Sequence, residues 1–423
     1  MSPNRGDVVV IGAGAAGLMA AARAAGRGLK TLLVEKNRKI GVKILMSGGT
    51  RCNLTQQTDA RGIVAAFGRQ GSFLHSALAR LDPEGLVALF HQAGVATKVE
   101  GTGKVFPVSD SAVDVRDALV RLTRQAGCEI RTDCAVTDLR RDAEGFSLVT
   151  SHEVLRARNV IVTTGGQSYP GCGTTGDGYR WLEQMGHSLI APVPALVPIV
   201  IGEQWPRELS GITLDDVALE VRRGSQLVER SRASFLFTHF GFSGPAPMNV
   251  SRAFSRYRTD ELTLCCDFWP AEKDEVVFGK LQRRCRQAPS RPVSGVLFRE
   301  LPQRFVERLL VLSGLAPPCR GAEVSSKRLR QLVSLLKRHE FRIQGTRGFK
   351  KAEVTAGGVF PKEVDSATMR SRLVPGLSLA GEILDLDGPI GGYNFQAAFS
   401  TGFLAGESVG RENMSRGSSE SVS

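Results

Sequence analysis

Three glycines at positions 12, 14 and 17 follow one apolar run, and an acidic residue, Glu35, ends the next run 21 residues after Gly14. A GxGxxG spacing between a strand and a helix suits the pyrophosphate of a dinucleotide. The first glycine permits the tight turn, the second lets phosphate approach the backbone, and the third packs helix on strand. The helix N-terminus then supplies amide donors and a partial positive charge, and Glu35 can reach a ribose hydroxyl. The alternative is a glycine-rich turn that holds nothing; strand, helix and acid together favour the dinucleotide. Near the other end, "LSLAGEILDLDGPIGGYNFQAAFSTG" runs from a strand through Gly381, Glu382 and Asp385 to Gly391 and Gly392, which open an apolar helix at Tyr393 and Asn394. A simple pyridine-nucleotide enzyme has no need of such a returning segment, whereas a flavin does. Asp385 can hold a ribityl chain, and a helix N-terminus stabilises the negative charge of a reduced ring.

Between these ends, "SGGTRCNLT" (47–55) follows Lys36 and Lys43, in the loop at the carboxyl ends of the strands where such sheets bind ligands. Ser47, Gly48 and Gly49 allow close approach of a cofactor, Arg51 can stabilise a reduced flavin or an anionic substrate, and Asn53 can donate to a carbonyl. Cys52 reads in two ways: a small buried residue, or a proton donor beside a hydride-transferring ring. In "FTHFGFSGPAP" (237–247), His239 lies among glycines and aromatics in a segment that could close over the flavin. It is the second candidate donor, against the ordinary structural role of a lone histidine. A second GxGxxG, Gly171, Gly173 and Gly176, lacks a strand directly before it and reads as a glycine-rich wall rather than a nicotinamide site. The candidate catalytic residues are thus Cys52, His239 and Arg51. The cofactor set is Gly12, Gly14, Ala15, Ala16, Gly17, Glu35, Lys36, Lys43, Ser47, Gly48, Gly49, Arg51, Asn53, Val136, Thr164, Gly165, Gly166, Gly381, Glu382, Asp385, Gly391, Gly392, Tyr393 and Asn394. The cofactor is read as FAD, with NAD(P)H as a transient co-substrate.

The elements that must position these residues begin with a βαβ unit over 7–35. Leu86 to Ala93 reads as helix, "GKVFPVSD" as a hairpin or loop, and "AVDVRDALVRLTRQAG" as a helix ended by Gly127, followed by strands over 129–138, 146–150 and 159–164. Three prolines in "APVPALVPIV" mark a change of texture. The boundaries expected are a first cofactor-binding part at 1–191, a β-rich insert at 192–270, a basic helical insert at 271–338, a return strand at 339–350, a second cofactor-binding part at 351–410 and a disordered tail at 411–423. In "SKRLRQLVSLLKRH", Leu329, Leu332, Val333 and Leu336 form one stripe, with Lys327, Arg328, Arg330, Lys337 and Arg338 mostly off it.

The chain has 423 residues, enough for about three lobes at roughly 150 residues each. Its eight cysteines include no CxxC pair and no zinc-finger spacing, so no metal is expected. The run "VVVIGAGAAGLMAAARAA" is interrupted by glycines and falls short of the roughly 20 residues of a membrane span. With no leader sequence apparent, the thiols read as reduced and the location as cytoplasmic. The net charge of +13 is concentrated: residues 281–350 hold sixteen Lys or Arg against four Glu and no Asp. Such a block reads as a polyanion-binding face or as a solvated surface. The residues put forward for nucleic-acid contact are Arg283, Arg284, Lys327, Arg328, Arg330, Lys337 and Arg338.

Together "VVVIGAGAAGLMAA", "SGGTRCNLT", "TTGGQSYPGCGTTGDGY", "FTHFGFSGP", "AEVTAGGV" and "AGEILDLDGPIGGYNFQAAFSTG" closely resemble the BaiN/RdsA-like (YhiN-type) family of NAD(P)/FAD-dependent oxidoreductases. The resemblance spans residues 8–402. It implies an α/β fold: a Rossmann-like, glutathione-reductase-like FAD-binding domain interrupted by an insert with a β-barrel-like part and a small helical part. Departures are Thr50 where a third glycine is usual, Gln56 where Asn is usual, and "GCG" at 171–173. The resemblance leaves three activities open: uridine reduction in ribosomal RNA, reduction of a steroid double bond, and amine oxidation. The basic insert favours the first, with ribosomal RNA as partner. A small-molecule ene-reductase or oxidase, and a non-catalytic flavoprotein, stay as alternatives. Oligomeric state is not readable.

Overall fold

The structure is a computed structural model that describes residues 5–297, 300–315 and 319–411. All of the expected tail except Arg411 lies outside these residues. The chain divides into two compact units, the first formed by residues up to Pro194 and from Glu353 onward, the second by Ala195–Ala352.

The first unit is built on a mostly parallel sheet. Strand β1 (Arg5–Ile11) leads through Gly12 into helix α1 (Ala15–Ala25), then strand β2 (Thr31–Val34). Strand β3 (Glu129–Arg131) pairs beyond β2, strand β4 (Val154–Val162) pairs on the other side of β1, and after helix α2 (Asp177–Gln184) strand β5 (Leu377–Leu379) pairs beyond β4. The parallel order is β5-β4-β1-β2-β3. An antiparallel pair, Val136–Asp142 and Gly145–Thr150, joins the early part of β4. Val8, Val10, Leu33 and Ile161 are fully buried, which is why these strands read as continuous apolar runs rather than alternating ones. The last helix of the unit, α3 (Tyr393–Ser408), packs on α1 through small residues. A Cβ on Gly402 would lie 2.3 Å from the Ala16 carbonyl oxygen, and one on Gly406 2.3 Å from that of Ala20. Both contacts step forward by one helical turn, so the two helices run parallel.

The second unit holds a seven-stranded antiparallel sheet, including the long hairpin Thr213–Arg223 with Gln226–Thr238 and the short strands Ile199–Ile201, Gly241–Ser243, His339–Phe341 and Ile343–Thr346. Helices Asp274–Gln287, Gln303–Leu312 and Ser326–Lys337 pack together beside it. Phe235, Phe237, Phe242, Phe268, Phe305 and Phe341 form one aromatic core joining sheet and helices. Sheet and helices therefore share a core within a single unit.

Candidate functional site

At the carboxyl end of β1 the three glycines have separate physical roles. Gly12 takes φ +99, and a Cβ there would meet the Thr163 carbonyl oxygen at 2.8 Å. A Cβ on Gly17 would lie 1.8 Å from the Gly12 carbonyl oxygen, so this position sets how closely α1 approaches the turn. Around Gly14 nothing lies within 4 Å of an added Cβ, and no side chain caps the helix. The amides of Ala15, Ala16 and Gly17, in the first turn, have no intrahelical acceptor. Glu35, buried at the end of β2, accepts from the Ala13 amide at 2.8 Å and the Asn37 amide at 2.9 Å. An uncapped helix start with an open space before it and an acid one strand away fits a dinucleotide.

A second uncapped helix start lies on the same side. Helix α3 opens at Gly392 with no side-chain cap and no acidic residue in its first turn. From the Ala16–Gly402 contact, eight residues at 1.5 Å rise place the start of α3 about 12 Å before that of α1 along the N-to-C direction they share. Asn53 builds this second start. With its amide oriented to satisfy both ends, its nitrogen donates to the Thr55 and Val105 carbonyls at 2.9 and 3.2 Å, and its oxygen accepts from the Gly392 amide at 3.0 Å. Asn394 closes the preceding loop on Gly388, accepting from its amide at 2.8 Å and donating to its carbonyl at 2.9 Å. Two sets of free amides at this separation can hold a pyrophosphate at one end and a partly anionic ring at the other.

Lys43, Ser168 and Glu382 form one network. Lys43 donates to Ser168 Oγ at 2.7 Å and pairs with Glu382, which also accepts from Ser168 Oγ at 2.7 Å and the Thr355 amide at 2.8 Å. Asp385 accepts from the Gly357 amide at 2.9 Å, and Gly381 donates its amide to Thr401 Oγ1. Lys36 is paired with Asp177 and donates to Thr175 Oγ1 at 2.7 Å, tying the second glycine motif to the end of β2. That motif leads into α2 from a 3-10 turn at Pro170–Cys172, and Asp177 sits in the first turn of the helix. The carboxylate there is already paired with Lys36. Thr164 keeps a buried hydroxyl with no partner, Gly165 takes φ +73, and a Cβ on Gly166 would collide with Thr355. Val136 starts its strand two residues after Cys134, whose amide donates to the Glu35 carbonyl at 2.9 Å.

The loop 47–55 differs from its sequence reading. Ser47 donates to the Ile44 carbonyl, and Gly48 and Gly49 are exposed. Arg51 lies over the Phe106 ring, 4.1 Å from its centroid, and is paired with Glu100 at 2.6 Å and Asp110 at 3.4 Å. Its charge is answered within the protein. Cys52 is fully buried in the core beside Leu54 and Ile44, and desolvation pushes its thiol up to about 12, with only the Ser47 contact opposing. A side chain without accessible surface cannot hand a proton to a substrate, which corrects the reading of Cys52 as first donor. Thr50 takes φ +70, a conformation natural to glycine and strained for a β-branched residue, so the departure at this position has a backbone cost. The motifs did not single out Tyr169, which takes φ +52; burial and then the Glu353 carboxylate raise its phenol. Thr355, whose Oγ1 accepts from the Gln167 and Ser168 amides, was legible only as part of "AEVTAGGV".

In the second unit His239 is exposed at the turn between Gln226–Thr238 and Gly241–Ser243, its ring edge-on to Phe240. Of the seven cations put forward for RNA, Arg283, Lys327 and Arg328 are exposed and have no acceptor among the described residues. Arg284 pairs with Glu300, Arg330 with Glu275 and Arg338 with Asp274. Lys337 is buried: it pairs with Asp267 at 2.7 Å and donates to the Trp269 and Glu272 carbonyls, both at 2.6 Å. It lies one helical turn after Val333 and so continues the apolar stripe. It cannot meet a phosphate, and its inclusion in the patch is corrected.

No group of metal-binding side chains occurs among the described residues, and none of their helices is long and apolar enough to cross a membrane. The model of the HI0933-like protein Rossmann domain matches residues 6–408. A "Ribosomal RNA dihydrouridine synthase" of Escherichia coli K12 is 33% identical over 96% of this chain and 98% of its own length. A "3-dehydro-bile acid delta(4,6)-reductase" of Clostridium scindens is 31% identical over 95% and 98%. The solved 3-ketosteroid-delta4-(5alpha)-dehydrogenase of Rhodococcus jostii superposes with a TM-score of 0.53 at 17% identity, covering 96% of this chain and 97% of that one. The fold is the α/β Rossmann type that binds FAD.

Proposed function

Because the chain belongs to the HI0933-like Rossmann family, we propose that this FAD-dependent oxidoreductase reduces an activated carbon–carbon double bond with electrons from NAD(P)H, its substrate being uridine in ribosomal RNA and its product dihydrouridine. The observation that carries the proposal is near full-length similarity, at 33% identity, to two proteins named for that reaction, in E. coli and Haemophilus influenzae. The amides at the start of α1 and Glu35 would hold the adenosine diphosphate half of FAD, and the start of α3, built by Asn53 and Asn394, would face the ring. Once reduced by NAD(P)H, a flavin bound there would supply a hydride to one carbon of the double bond and return to its oxidised form. The neighbouring carbon needs a proton from a group that solvent can reach. Cys52, which has no accessible surface, is not that group. Arg283, Lys327 and Arg328 have charge to offer to phosphate, and each contact releases a counterion. The uridine must be unstacked before its double bond is accessible. Such a substrate puts the enzyme's work in the cytoplasm.

Mass spectrometry of ribosomal RNA nucleosides from cells with and without the gene tests this reading. Loss of one dihydrouridine, restored by the intact gene, supports it; an unchanged nucleoside profile overturns it. The similarity to the Clostridium reductase favours a second reading, reduction of a free enone. Turnover of such a compound that is insensitive to salt would select it.

A further inference from the structure

Six arginines among the described residues lie over an aromatic ring. Five of them are held by a protein acceptor. Arg23, Arg51, Arg223 and Arg330 are paired with Glu407, Glu100, Glu261 and Glu275, and Arg141 donates to the Pro375 carbonyl. Arg347 is the exception. Its guanidinium lies over Phe240, 4.6 Å from the ring centroid, and its side chain has no acceptor among the described residues, although it is exposed.

The backbone fixes this arrangement. The Phe240 carbonyl accepts from the Ile201 amide, the Arg347 amide donates to the Pro198 carbonyl, and strand Ile199–Ile201 pairs with both Gly241–Ser243 and Ile343–Thr346. One short strand thus sets the aromatic ring and the arginine side by side. His239 stands edge-on to Phe240 at 5.0 Å, and a few residues on, Lys350 and Lys351 are exposed with no side-chain acceptor. On the helical face acidic residues just before residue 281 answer Arg330, Lys337 and Arg338, and Arg283, Lys327 and Arg328, which stay free among the described residues, have no arginine stacked on a ring among them.

We propose that this strand edge, Phe240 with Arg347 and flanked by His239, Lys350 and Lys351, is a binding site for single-stranded RNA: an unstacked base lies on the guanidinium plane, and the lysines take the adjoining phosphates. The site rests on the RNA reading above and locates where the strand is held. A guanidinium held over a ring gives a base a flat cationic surface with little ordering cost, and its missing carboxylate leaves the charge free for a polyanion. Sequence-tolerant single-strand binding sites combine these two parts.

The test is fluorescence anisotropy of a labelled 12-nucleotide uridine-containing RNA with the full-length FAD-loaded protein, over a salt series. Arg347→Lys keeps the charge and removes the plane; Phe240→Leu keeps the apolar packing and removes the ring. Each is expected to weaken binding roughly 5- to 100-fold, with flavin absorbance retained as the check on folding. Lys350→Gln with Lys351→Gln is expected to flatten the salt slope by about 1.4. Arg258→Gln, which removes an arginine of the same unit that is paired with Asp260 and was not put forward for RNA, is the comparison and is expected to change binding less than twofold. Wild-type binding by Arg347→Lys and Phe240→Leu, in a protein that still binds RNA and forms dihydrouridine, overturns this site and leaves the proposed function standing. A protein that binds no RNA and leaves dihydrouridine unchanged in cells overturns both. Equal loss of affinity for RNA and for heparin in every variant overturns base stacking and reduces the edge to a general anion surface.

Discussion

Replacing Gly14 and Gly17 by alanine should separate cofactor affinity from folding. At Gly14 the backbone angles, φ −83 and ψ −167, are extended and open to alanine, and nothing lies within 4 Å of the added methyl. Loss of the glycine's unfolded-state freedom should stabilise the flavin-free protein by about 0.4–1 kcal/mol. The methyl would nonetheless stand before the amides at the start of α1. An amide bond to a charged phosphate is worth roughly 1.5–3 kcal/mol, so displacing one raises the FAD Kd roughly 10- to 150-fold. At Gly17 the methyl would lie 1.8 Å from the Gly12 carbonyl oxygen and 2.6 Å from Thr163 Oγ1. Ordinary contacts exceed 3 Å, so α1 must shift, at a cost of roughly 1–3 kcal/mol or more. The assay is thermal unfolding of flavin-free protein together with FAD titration. The expected result is a held or raised midpoint with weakened FAD binding for Gly14→Ala, and a lowered midpoint for Gly17→Ala. Wild-type FAD affinity in Gly14→Ala would remove the pyrophosphate from the start of α1. A fall in its midpoint equal to that of Gly17→Ala would show that Gly14 serves the backbone alone.

Cys52→Ala should keep turnover within a few-fold while lowering stability by roughly 1–2 kcal/mol from the cavity left in the core; an orders-of-magnitude loss of turnover with FAD retained would restore the thiol as proton donor. Lys337→Met should destabilise the second unit by roughly 2–3 kcal/mol, since Asp267 and two carbonyls lose their donor. The salt slope of RNA binding should not change, and a slope reduced by about 0.7 would place Lys337 on phosphate after all. Desolvation holds the His187 and His339 imidazoles below their ordinary range, against Glu363 and Glu203. The unfolded chain therefore binds more protons once pH falls below about 6.5, so stability is full above that value and declines beneath it. Unfolding midpoints at pH 7.5 and 5.5 should show the decline, and His187→Gln should reduce it. A midpoint that rises on acidification would refute neutral folded histidines.

The sequence alone determined the parts that short-range geometry controls. A turn between a buried strand and a helix needs glycine at set positions whatever surrounds it, so Gly12, Gly14, Gly17 and Glu35 were legible as the turn, helix start and strand end of a Rossmann unit, and the apolar runs as a parallel sheet. The stripe at Leu329, Leu332, Val333 and Leu336 followed from the helical period, although the turn that continues it to Lys337 was overlooked because a lysine stood there. Only the tertiary structure decided which polar groups remain free. Arg51, Arg284, Arg330 and Arg338 look alike in sequence to Arg347, yet each of the first four meets a carboxylate brought from elsewhere in the chain. Cys52 read as either buried or reactive among glycines, and the fold enclosed it in a core cluster that draws residues from Val8 to Val409. Asn53 looked like a cofactor donor, and the fold used its amide to build the start of α3. The physical reason is common to all three: burial and charge pairing are properties of neighbours in space, and local sequence specifies only neighbours along the chain.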